Sequence, residues 1–215
     1  RNTHFSYRIG ENGVETFVTT PEIHSESTIT EDPLPPGQIW AINTGGQEDP
    51  SGLYRIEVNS GPGSGVKILN RPIPPQFQES VRYAEQNLYS KSKELVGDRD
   101  PRSHEFSVQL RAFDASKSGN GTGMAILMAM CSSILEKNTK GGLVIVGQLN
   151  LGGSLDLVYG AVNIAEIAIE KGATTLLIPL NARKQLNELS DDMITKINIQ
   201  YYSDLRDCLV KTLME

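Results

Sequence analysis

The densest run of side chains able to do chemistry is Asp114-Ala115-Ser116-Lys117-Ser118-Gly119-Asn120-Gly121-Thr122-Gly123. A hydroxyl becomes a nucleophile when a neighbouring base takes its proton, and a lysine serves as that base when its surroundings keep it neutral. Thr122 and Ser118 are the candidate nucleophiles of this run, with Lys117 in the same loop. Each also has a plain structural reading. Thr122 can cap the helix that follows, Lys117 can be solvated, and Asp114 can be a turn residue. Lys171, near the end of a later helix, complements that helix's dipole.

Two glycine-rich stretches invite a nucleotide reading. Gly61-Pro62-Gly63-Ser64-Gly65-Val66-Lys67 fails as a phosphate loop: Val66 separates glycine from lysine, no Ser or Thr follows, and a strand comes next. Gly119–Gly123 does precede a helix, whose first N–H groups can bind anions. The following strand ends in Gly147-Gln148-Leu149-Asn150, without the acidic residue a dinucleotide site uses. The glycines here are expected to permit close packing at a helix entry, and no cofactor is assigned to the chain.

Three histidines, His4, His24 and His104, and two cysteines, Cys131 and Cys208, form no zinc-ligand spacing. Both cysteines lie in apolar helical patterns and are expected as buried, reduced thiols. A net charge of −6 disfavours nucleic-acid binding by these 215 residues. Hydrophobic residues at 38% and charged residues at 21% predict a soluble folded domain. No apolar run is long enough to span a membrane. The chain begins at Arg1 without an initiator methionine, so it reads as a fragment or processed product.

The elements that must position the hydroxyl-rich loop follow from periodicity. Strands are predicted at 5–9 and 14–20 around the turn Gly10–Gly13, followed by a linker over 21–37. Further strands are predicted at 38–43, 53–59 and 66–70, with a flexible loop at 60–65. Phe77, Val81, Ala84, Leu88 and Leu95 predict an amphipathic helix over 75–96. A strand at 104–113 leads through the loop to a helix over 124–137, apolar on nearly all sides and therefore central. Strands at 143–151, 174–179 and 197–202 alternate with helices at 161–171 and near 182–189. A last helix begins at Ser203, read as its N-cap. This is an α/β (α+β) pattern, with residues 1–35 as hairpin and linker and 36–215 as the main domain.

Within that order, several short motifs resemble the proteolytic domain of the Lon family. Gly37-Gln38-Ile39-Trp40-Ala41 resembles its opening strand, and Phe77-Gln78-Glu79-Ser80 resembles M-Q-E-S. Residues 106–123 hold the place of the strand and loop ending in P-K-D-G-P-S-A-G. Gly147–Leu151 resembles G-E-I-T-L, and Leu176–Pro179 resembles V-L-I-P. The resemblance implies a Lon-type fold of mixed sheets and helices, and a Ser-Lys dyad. In register, the family serine falls on Gly121. The lysine of G-G-L-K-E-K falls on Val162 in Tyr159–Ile164. Both dyad positions are thus expected to be vacant. Thr122, Ser118 and Lys117 remain as a relocated alternative, which would make the chain an ATP-dependent Lon-family peptidase.

Leu69–Phe77, Gly97–His104 and Gln148–Ser154 further resemble the Lon-like family of BREX phage-defence systems. That resemblance implies a cytoplasmic, homo-oligomeric parent protein with an upstream AAA+ module that binds ATP and Mg²⁺. It also implies contact with DNA through the parent rather than through this acidic portion. No Walker motif occurs here.

Overall fold

In the strand Leu53–Pro62, Tyr54, Ile56 and Val58 are buried while Arg55, Glu57 and Asn59 are not, the period of two that a pleated strand imposes. The computed structural model describes residues 4–9, 15–20, 28–44 and 49–215. In chain order the strands are β1 (His4–Ile9), β2 (Glu15–Thr20), β3 (Gln38–Ile42), β4 (Leu53–Pro62), β5 (Val66–Ile68), β6 (His104–Ala112), β7 (Leu143–Ile145), β8 (Thr175–Pro179) and β9 (Asn198–Tyr202). The helices are α1 (Pro75–Ser90), α2 (Ser92–Val96), α3 (Gly123–Leu135), α4 (Ala161–Glu170), α5 (Arg183–Leu186), α6 (Asp191–Lys196) and α7 (Leu205–Thr212).

β1 and β2 pair antiparallel, with His4 opposite Thr20; the expected turn at 10–13 lies outside the described residues. The other strands form one mixed sheet, in the order β5-β6-β4-β3-β7-β8-β9. β6, β4 and β3 are antiparallel neighbours, whereas β3, β7, β8 and β9 run parallel. Two cores lie on opposite faces. Ile39 and Ala41 of β3 turn to the core built with α1, α2, α3 and α7, while Trp40 and Ile42 turn to the core under α4, α5 and α6. Gly123 through Ile134 of α3 are all buried, as expected of a central helix. Among the described residues, no helix is long and apolar enough to cross a membrane.

Several boundaries differ from the periodic reading. The helix over 75–96 is broken at Lys91 (φ −117°, ψ 25°), between two serines. Ser90 Oγ there reaches the Asn87 carbonyl at 3.4 Å, and such side chains compete with the helical backbone. β4 continues through Pro62 because β6 pairs with it along its whole length, so the loop shrinks to a turn. β7 stops at Ile145. Its expected continuation folds into a tight hairpin over 147–156, where Asn150 Oδ1 accepts from the Gly152 and Ser154 N–H groups at 3.0 and 3.1 Å. Residues 191–196, between the expected helix near 182–189 and the expected strand at 197–202, form α6, capped by Ser190 Oγ on the Met193 N–H. The cap of α7 is Asp204 rather than Ser203, its carboxylate accepting from the Asp207 N–H at 2.8 Å.

Part of the expected linker is bonded into the body. Ile29 is buried in the α4-side core and its N–H donates to the Lys171 carbonyl at 3.0 Å. Leu34 and Thr139 exchange backbone hydrogen bonds at 3.1 and 3.2 Å. Residues 21–27 of that stretch lie outside the described residues. Cys131 on α3 and Cys208 on α7 are buried free thiols. Burial pushes the Cys131 pKa up to about 12 and that of Cys208 higher still.

Candidate functional site

The loop between β6 and α3 is held by polar contacts to the 49–54 segment. The Gly119 N–H donates to the Tyr54 hydroxyl at 3.3 Å, and that hydroxyl shares a 2.6 Å hydrogen bond with Ser116 Oγ. Ser116 in turn reaches Asp49 at 3.4 Å. Ser118 Oγ donates to the other Asp49 carboxylate oxygen at 2.6 Å and accepts from the Asn120 N–H at 3.2 Å. Asp114, expected as a turn residue, accepts from the Leu53 N–H at 2.6 Å and pairs with Lys171 Nζ at 2.8 Å. Lys171 is therefore an ion-pair partner bridging to the loop, not merely a cation near the end of α4. Burial opposes the Asp114 carboxylate, but the Lys171 ammonium and the Leu53 N–H outweigh it and hold its pKa below the ordinary value.

The three alternative chemistry-bearing residues occupy different surroundings. Thr122 is 1% exposed and stands at the N-cap position of α3, yet its hydroxyl donates back to the Gly119 carbonyl at 2.7 Å instead of accepting from the helix. Ser118 is committed to Asp49. Lys117 is exposed. The structure brings no lysine amine into hydrogen bonding with either hydroxyl among the described residues.

Gln148 closes the entry to α3. Its Oε1 accepts from the Gly123 N–H at 2.9 Å and its Nε2 donates to Ser80 Oγ at 2.9 Å. The Met124 N–H goes to the Gly147 carbonyl at 3.1 Å. These two N–H groups, which at a helix start can stabilise an anion, are thus consumed internally. One amide side chain thereby links three motifs that are far apart in sequence. The glycine of that entry is needed for space, since a side-chain carbon at Gly123 would meet Leu149 Cδ2 at 2.6 Å and overlap Gln148.

Gly121 lies in a cleft of about 570 Å³ at the carboxyl ends of β3 and β7. Thr44, Glu79, Tyr83, Asn120, Gln148, Asn150, Asp156, Leu157 and Tyr159 line it with Gly121. No lysine, arginine or histidine is among the described side chains lining it. Gly121 has φ +68°, a conformation that suits glycine, and a Cβ built there would overlap the Thr44 hydroxyl. Val162, second residue of α4, is partly buried and packs as an apolar side chain against the α4-side core. The Gly160 residue before that helix also has a positive φ, +69°. Thr44 and Asp49 were not singled out from sequence, and Tyr54 was read only as an inward residue of its strand. They carry no motif of their own, and only the folded path brings them to the loop. Glu79 and Gln148 sit inside motifs that were read.

The family model for the Lon protease (S16) C-terminal proteolytic domain matches residues 8–215. Among curated proteins, the chain is 24% identical over 213 residues to the Lon-like protease BrxL of Escherichia coli O9:H4 (strain HS), covering 99% of this chain and 30% of that protein. It is 24% identical over 215 residues to the Lon-like protease BrxL of Bacillus cereus (strain H3081.97), covering 99% of this chain and 31% of the other. To the Lon protease of Lawsonia intracellularis (strain PHE/MN1-00) it is 26% identical over 207 residues, covering 94% of this chain and 24% of that one. The chain thus spans less than a third of the length of these relatives. A mixed sheet with a buried central helix, a glycine-lined loop at that helix's entry and a family match over nearly the whole length give one assignment: the chain belongs to the Lon protease (S16) C-terminal proteolytic domain family.

Proposed function

We propose that this chain is a non-proteolytic Lon-like domain that serves in oligomer assembly or partner docking. The observation that carries the reading is the cleft at Gly121. The position assigned to the nucleophile has no side chain, the position assigned to the lysine is Val162, and no amine or imidazole is among the described side chains lining the cavity. Acyl transfer by a hydroxyl needs a base within hydrogen-bond reach and a donor group for the developing oxyanion. Ser118 and Thr122 have their hydroxyls engaged elsewhere, and the entry to α3 is taken by Gln148 and Gly147.

Similarity to two proteins named Lon-like protease BrxL, which are about three times as long, supports placing the domain at the end of a longer chain. In this proposal the parent is a cytoplasmic AAA+ protein of BREX phage defence. ATP and Mg²⁺ belong to its upstream module, and DNA is contacted there rather than by residues 36–215. The test is incubation of the chain, and of the parent protein with ATP, with unfolded casein. No cleavage is expected. ATP-dependent cleavage abolished by Thr122→Ala or Ser118→Ala would overturn the reading. Deleting 36–215 from the parent is expected to abolish ring assembly and phage restriction, and their survival would remove the assembly role.

A further inference from the structure

Lys171 closes α4 and bonds in two directions. Its carbonyl, at a helix end where intrahelical partners run out, accepts from the Ile29 N–H at 3.0 Å. Its ammonium pairs with one oxygen of Asp114 at 2.8 Å, while the other oxygen accepts from the Leu53 N–H at 2.6 Å. Asp114 opens the loop that brings Asn120 and Gly121 to the cleft. One residue thus joins the segment 28–34 to the loop 114–123.

The segment 28–34 is neither helix nor strand and lies on the body by a few contacts. Ile29 is its one fully buried side chain, and Leu34 is partly buried against the same core. Thr30, Glu31, Asp32 and Pro33 between them are exposed. The Thr30 carbonyl accepts from the Gly142 N–H at 2.8 Å. Gly141 leaves room for the backbone to pass, since a Cβ there would overlap the Glu31 carbonyl. A segment with two apolar pegs and few hydrogen bonds opens at a lower free energy than the whole fold. The loop 114–123 is likewise held by its anchors: Asp114 at its start, then Ser116 and Ser118 on Asp49, and the Gly119 N–H on Tyr54.

We propose that the segment 28–34 is a conformational strap that sets the order of the cleft loop through Lys171. Seated, it holds the end of α4 so that the ammonium fixes Asp114. Lifted, it frees Lys171 and loosens the loop. The inference rests on the reading above only for what lifts the strap, a longer parent chain pulling through this segment. Such coupling is reciprocal, so loosening the loop also loosens the strap.

The test is amide hydrogen exchange, resolved by residue, on the whole chain. Ile29→Ala is expected to speed exchange of the Leu53 and Gly119 amides about tenfold beyond any change in the slowest amides, which report global unfolding. Ile29→Val should give the same pattern at smaller amplitude and serves if the alanine variant does not fold. Lys171→Met keeps the carbonyl and the aliphatic stem but removes the ammonium, and in that background Ile29→Ala should no longer speed the loop. Asp114→Asn is expected to speed exchange of the Ile29 amide in turn. A uniform change in all amides, a loop that ignores both Ile29 variants, or a loop response that survives Lys171→Met would each overturn the proposal. Exchange is read without any substrate, so the two readings fail separately. Cleavage of casein would remove the non-proteolytic reading and leave the strap standing, whereas a failed exchange test removes only the strap.

Discussion

The Thr44 hydroxyl stands where the first side-chain carbon of any residue replacing Gly121 would have to go, and the Thr44 nitrogen lies 3.2 Å from the same point. The segment after β3 has closed over the position that the family resemblance gives to a nucleophile. Whatever the ancestry of this position, Thr44 now fills the space that a side chain at residue 121 would need.

Restoring the dyad by substitution is therefore expected to fail for steric reasons before chemical ones. Gly121→Ser places a side chain at φ +68° and against Thr44, which should cost about 1–3 kcal/mol. Urea denaturation reads this directly, and adding Thr44→Gly should recover part of the loss. Gly121→Ser with Val162→Lys is expected to leave casein uncut, since neither pKa tuning nor an oxyanion donor is supplied with it. Efficient cleavage by that pair would show a site still prepared for catalysis.

Gln148 offers a second test, because it satisfies two groups at once. Gln148→Leu leaves the Gly123 N–H and the Ser80 hydroxyl without this partner, and Ser80 is fully buried. The expected loss is about 1–3 kcal/mol for the pair of unmet groups. Gln148→Glu should cost much less. A carboxylate still accepts from the Gly123 N–H, suits a helix N-terminus, and can accept from Ser80 with that hydroxyl's direction reversed. Equal destabilisation by the two substitutions would refute this account of the helix entry.

The elements that place the cleft were legible in sequence because their signals are periodic. Tyr54, Ile56 and Val58 marked β4, and the unbroken apolar run of α3 marked the helix at the centre. The assignment of the dyad positions to Gly121 and Val162 rests on motif register alone. What the sequence did not carry was which polar side chains meet. Asp49 with Ser118, Tyr54 with Ser116, and Asp114 with Lys171 are separated by more than fifty residues in each case. Such pairs have no local spacing to read, since they depend on how strands from distant parts of the chain come into register. The break at Lys91 and the hairpin over 147–156 were missed for the opposite reason. Both are local events in which short polar side chains and glycines outweigh an apolar pattern that continues past them.

The Asp114–Lys171 pair supplies a pH test with a definite sign. The folded-state pKa of Asp114 is depressed, so the carboxylate stabilises the fold at pH values above its unfolded value, near 3.8, and that contribution disappears as pH falls through the lower folded value. Both side chains are about a quarter exposed, with relative accessibilities of 28% for Asp114 and 21% for Lys171, so solvent screens the pair and the contribution is about 1 kcal/mol. Asp114→Asn keeps an oxygen for the Leu53 N–H but removes the charge. Urea unfolding at neutral pH should find the variant less stable than the parent. As pH falls through that lower folded value the two should converge, because the parent's carboxylate is then protonated as well. A stability difference that stays constant from neutral to acid pH would mean that Asp114 acts through shape and hydrogen bonding, and that Lys171 adds no ion-pair stabilisation to the loop.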